Sequence, residues 1–117
     1  MLPLLGLYIL LIGIPTTLNH EIKVTITAYS PHVGQTDSTP LLTASQRTVS
    51  TRYIALSRDL ETLYGLKFGD LVVLNGIEYE FQDRMNKKWS RRVDRFFWSR
   101  DEALRFGKQS GVLEVVR

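Results

Sequence analysis

Leu71-Val72-Val73-Leu74-Asn75-Gly76-Ile77-Glu78-Tyr79-Glu80-Phe81-Gln82 is the stretch that decides the fold class. Asn-Gly tolerates the two positive φ angles of a type I′ turn, and β-forming residues flank it on both sides, so a β-hairpin is predicted. N-terminal to it, Ile22, Val24, Ile26 and Ala28 alternate with Lys23, Thr25, Thr27 and Tyr29, the period of a half-buried strand. Tyr53 to Leu56 reads as a short apolar strand, and Leu63 to Asp70 as a loop with Gly65 and Gly69 as turn points. Val93 to Trp98 is a further strand, with Arg92, Asp94, Phe96 and Trp98 on one face and Val93, Arg95 and Phe97 on the other. Ser99 and Glu102 form a capping box, which opens a short helix closed by Gly107, and Val112 to Val116 is a last strand. Six or so short strands with one short helix near the C-terminus predict a mainly β, small six-stranded barrel, because closure removes the exposed edges of so short a sheet. Pattern alone does not distinguish one small barrel topology from another.

Chain length sets the domain count. The 117 residues allow one domain, expected over 21–117. Residues 1–20 are expected to be a hydrophobic leader, either a signal peptide or an anchor. Met1 to Leu18 carries no charged side chain, and Leu4 to Ile14 is an almost unbroken apolar run of signal-peptide length. Export to the periplasm or cell envelope follows as the expectation, with membrane attachment only through an uncleaved leader. Ser30 to Gln46 is rich in Pro, Gly, Ser and Thr and reads as a long loop of the kind that is usually functional or mobile.

Composition narrows the chemistry. The absence of cysteine excludes disulfides, thiolate metal sites and a thiol nucleophile. His20 and His32 lie in dissimilar segments, too few for a histidine-built metal site or a serine–histidine relay. Neither a phosphate-cradling glycine loop nor a Gly-x-Ser-x-Gly elbow is present, so no cofactor and no metal is expected. Any catalysis must use carboxylates. Asp83 ends the second hairpin strand and Asp94 lies in the next one, joined by a basic loop. Glycosidic cleavage needs a carboxylic acid to protonate the leaving oxygen, and often a second carboxylate. Phe96 and Trp98 on the face of Asp94 would raise its pKa by desolvation, while Arg92 would lower it. The alternative role for each aspartate is a turn cap or a partner for a neighbouring arginine.

Residues 83–95 hold six cations against two aspartates, so this stretch is +4 and the rest of the chain sums to −1. A local basic excess suits an anionic polymer or anionic group, or a solvated face. Nucleic acid is the weaker partner, because the charge sits in a single loop and the leader points to export. Trp89, Trp98 and Tyr29 are aromatics able to stack on sugar faces. Trp98 is expected in the core, whereas Trp89 sits in a polar loop where an indole has less structural reason to be.

With these residues in view, the chain resembles the 3D (three-aspartate) domain, found in membrane-bound lytic transglycosylase A and in stationary-phase survival proteins. The similar stretches are Val24 to Tyr29, Leu42 to Ser45, Ile54 to Leu56 and Tyr64 to Val73. Above all, they include Phe81-Gln82-Asp83-Arg84 through Arg92-Val93-Asp94-Arg95-Phe96-Phe97, and Glu102 to Gly107. The resemblance implies a double-psi β-barrel and cleavage of the bond between N-acetylmuramic acid and N-acetylglucosamine, leaving a 1,6-anhydro sugar without hydrolysis. It puts the second family aspartate on Asp83 and the third, the catalytic acid, on Asp94. Tyr29, Thr43, Ser57, Arg84, Trp89 and Arg92 are then expected to bind peptidoglycan glycan strands. Two departures stand out: Ser57 occupies the place of the first family aspartate, with Asp59 two residues on, and the loop after Asp83 begins Arg84-Met85-Asn86-Lys87-Lys88-Trp89. An Asp-Arg start is similar to rare lipoprotein A and expansin-like barrels, which implies a non-catalytic wall-binding or wall-loosening module as the alternative.

Overall fold

A computed structural model describes residues 19–31 and 41–116. The leader expected over 1–20 lies, as far as residue 18, outside the described residues, as do His32 and the centre of the Ser30–Gln46 loop. Six strands close into a barrel: β1 (Asn19–Tyr29), β2 (Tyr53–Leu56), β3 (Leu71–Leu74), β4 (Ile77–Arg84), β5 (Arg92–Phe96) and β6 (Gln109–Val116), in the spatial order β1-β5-β2-β4-β3-β6. The β1–β5 and β2–β4 pairs are parallel, and the other four contacts around the barrel are antiparallel.

Alternation in the sequence becomes inside and outside in the barrel. Val24 and Ile26 of β1, Ile54 and Leu56 of β2, Val72 and Leu74 of β3, Tyr79 and Phe81 of β4, Val93 of β5, and Leu113 and Val115 of β6 fill one core. Burying a side chain of this class contributes about 1.5–3 kcal/mol. The hairpin forms as expected, with Asn75 at φ 49° and Gly76 at φ 82°. The side chain of Asn75 also reaches β6, where its Oδ1 accepts from the Val112 N–H at 2.9 Å.

Among the described residues, two short helices are present where one was expected. α1 (Arg58–Tyr64) follows β2, carries Asp59 and Glu61 in its first turn and stops at Gly65 in the left-handed region, so the expected loop from Leu63 starts within it. The acidic first turn suits the positive end of the helix, and glycine takes the left-handed C-cap without steric cost. α2 (Arg100–Phe106) starts at Ser99, whose side chain accepts from the Glu102 N–H at 3.2 Å, and ends at Gly107.

Trp98 corrects the sequence reading. It is 55% exposed, where a core position was expected. Phe96, on the outward face of β5, is the residue buried there instead, at 1% exposure, packed edge-on against Tyr29 and Trp98.

Candidate functional site

One irregularity positions the carboxylates. β4 runs in register with β2 through Ile54 and Phe81, then skips Gln82, so that Ala55 faces Asp83. Strict alternation would send Asp83 to the inward face with Tyr79 and Phe81. The bulge at Gln82 reverses the phase and sends it outward. The carbonyl of Gln82 turns instead to the 41–49 segment, accepting from the Ser45 N–H at 3.2 Å.

Asp94 reaches the same outer surface from the other neighbour of β2, opposite Ala55. On the far side of β5, Asp94 pairs with Thr27 of β1. Thr27, Asp94, Ala55 and Asp83 therefore form one row across four strands. Two strand spacings separate the aspartate backbones, about 10 Å, and Ala55 stands between them in the row.

Each carboxylate has its own environment. Thr27 Oγ1 donates to Asp94 Oδ1 at 2.8 Å. The Ala44 and Arg84 N–H groups both donate to Asp83 Oδ1 at 2.8 Å. Asp94 is half-buried, and its pKa is pushed up to about 6. Burial is the main cause, and the charge of Asp83 adds to it, while the Thr27 hydrogen bond and Arg92 pull the other way. Desolvation thus wins over the arginine on the same face. At neutral pH a carboxyl tuned in this way can still hold a proton to give.

The other expected ligand-binding residues divide into two groups. Tyr29 lies at the end of β1, T-shaped against Phe96 at 5.3 Å, one strand step along from Thr27. Trp89 is partly buried, with the Arg92 guanidinium over its ring at 3.8 Å and Lys88 at 4.8 Å. Tyr29, Trp89 and Arg92 therefore flank the carboxylate row. Thr43, Ser57 and Arg84 serve the scaffold instead. Thr43 is 2% exposed, and its hydroxyl bonds with Ser45 and the Arg47 N–H within its own turn. Arg84 makes a two-pronged ion pair with Glu61 of α1, through Nε at 2.6 Å and Nη2 at 2.5 Å, and lies over the Phe68 ring.

Ser57 is fully buried and holds β2 to the start of β5: its Oγ accepts from the Arg92 N–H at 3.0 Å, and its own N–H donates to the Arg92 carbonyl. Asp59 has no part in the carboxylate row. It accepts from the Arg91 N–H at 2.9 Å. Burial pushes the pKa of Asp59 up, but hydrogen bonds from Ser57 and the Arg91 backbone outweigh this and hold it below its ordinary value.

Sequence reasoning missed Thr27 and the Ala44 N–H, which orient the two aspartates. Thr27 was visible as an outward residue of β1, but only the parallel pairing with β5 brings it to Asp94. Among the described residues no cluster of three His, Asp or Glu side chains could hold a metal ion, and no helix is long and apolar enough to cross a membrane. A groove of about 780 Å³, bordered by Lys23, Arg91 and Ser110, lies on the outer face of β1 and β6, apart from the two aspartates. Comparison with protein-family models and with curated proteins finds no match for the chain.

Proposed function

We propose that the chain is a lytic transglycosylase-like enzyme acting on peptidoglycan, built on a double-psi β-barrel, with Asp94 as general acid. The observation that carries this reading is a half-buried carboxyl with a pKa of about 6, facing a second carboxylate across one alanine. Two parallel strand pairs within an otherwise antiparallel six-stranded barrel support the double-psi topology.

In the mechanism that fits, Asp94 gives its proton to the glycosidic oxygen as the bond from that oxygen to C1 breaks. Positive charge develops at C1 and the ring oxygen, and the negative Asp83 stabilises it through space. The 6-hydroxyl of the muramic acid residue then bonds to C1. Its proton returns to the Asp94 carboxylate, which closes the cycle and leaves a 1,6-anhydro end. Tyr29, Trp89 and Arg92 line the strand-binding surface. Export to the cell envelope, by a leader in the first twenty residues, completes the reading.

The test is to incubate the protein with peptidoglycan sacculi and identify the released muropeptides by mass. Anhydro-muropeptides are expected. Hydrolysed products would assign the chemistry to water as nucleophile.

The second reading is a non-catalytic wall-binding or wall-loosening module. Ser57 favours it: a buried, scaffold-holding hydroxyl occupies the position where the family pattern has its first aspartate. Retention on sacculi with no released product would select this module.

A further inference from the structure

We infer that Trp98 is a stacking platform for a pyranose ring of the bound glycan, on the opposite side of Asp94 from Trp89; this rests on the glycan reading above. Arg92, Asp94 and Phe96 share the outward face of β5 at about 7 Å per step. Phe96 is buried at 1%, while Trp98 keeps 55% of its surface in water. The two rings meet edge to face, with centroids 4.7 Å apart and planes at 86°. Tyr29 holds Phe96 from the β1 side at 5.3 Å. The indole therefore packs against a buried ring and keeps more than half of its surface exposed.

An exposed aromatic surface on the strand that carries Asp94 suits a ligand with an apolar face. A pyranose presents its axial C–H bonds as a weakly positive apolar face, which complements the negative face of the indole. Trp89 is less suited to this role, because the Arg92 guanidinium already covers its ring at 3.8 Å. The two indoles therefore divide the surface along β5. The glycan runs parallel to this strand, with a cation-covered indole before the acid and an open indole after it.

The protein has two tryptophans, so ¹⁵N-labelled full-length protein gives two indole N–H signals, assigned with Trp98→Phe. A tetrasaccharide of N-acetylglucosamine is the probe. The Trp98 signal is expected to shift to saturation. Trp98→Ala should weaken binding about tenfold, the scale of a lost stacking contact. Its Tm should stay within about 3 °C of wild type, as for an exposed side chain. Trp98→Phe should hold affinity within about threefold, because a smaller ring keeps part of the face. An unmoved Trp98 signal, or Trp98→Ala binding like wild type, overturns the inference. If that result comes with intact anhydro-muropeptide release, the inference alone falls. If the wild type neither binds the tetrasaccharide nor releases muropeptides, the glycan reading falls with it.

Discussion

Asp94 combines two demands that oppose each other. Holding a proton near neutral pH requires burial, and burial penalises the carboxylate that remains once the proton is gone. The folded-state pKa is about 6, against 3.8 for the free side chain, so the folded protein binds more protons than the unfolded chain between these values. Stability from this group is full below about pH 4 and is lost as pH rises through 6. Asp94→Asn should therefore lower muropeptide release by about 10²-fold while raising unfolding free energy at pH 7 by roughly 1–3 kcal/mol. Urea titration at pH 4 and pH 7 checks the second part, and the variant should gain only at the higher pH. Equal stabilisation at both pH values would mean that the carboxyl is not strained by ionisation. Asp83→Asn should slow release by less, since an amide replaces the hydrogen bonds but not the charge. Ser57 belongs to a different class of residue. Ser57→Ala removes the acceptor for the Arg92 N–H from a fully buried position and should cost about 1–3 kcal/mol in urea unfolding. A neutral result would mean that water can enter to replace the hydroxyl.

Among the elements, β4 and β6 carry the features that no local pattern announces. The bulge at Gln82 adds one residue to β4 and so carries Asp83 to the surface, opposite Ala55. On β6, Gly111 faces the tip of Ile26. A Cβ there would come within 2.4 Å of Ile26 Cδ1 and 2.8 Å of Asn75 Oδ1. Both neighbours are fixed, one in the core and one by its bond to the Val112 N–H. Gly111→Ala should therefore destabilise by about 1–3 kcal/mol, the range for overpacking, measurable as a fall in Tm. An unchanged Tm would show that the hairpin can swing away from β6. The Ser99 cap, the Asn75-Gly76 turn and the alternation of β1 were all legible in the sequence, because each depends on residues within a few positions of one another.

At the level of the whole molecule, the barrel brings β5 and β4 to either side of β2 with their outward rows aligned. If Asp94 acts as the acid, kcat/KM should be level below about pH 6 and fall tenfold per pH unit above it, following the protonated fraction. A profile that rises through pH 6 would make the Asp94 carboxylate the working form and Asp94 a base. The amino-acid sequence by itself determined a mainly β chain with a small core, and it also marked the two aspartates and the aromatic strand that follows Asp94. These are properties of spacing and residue type. Only the tertiary structure decided that Thr27 orients Asp94, that Ser57 and Arg84 are spent on the scaffold, and that Trp98 rather than Phe96 faces water. The reason is common to all three: each depends on a partner at least twenty residues away or on the phase of a strand against its neighbour, and a single bulge or a parallel pairing resets that phase without altering the local pattern.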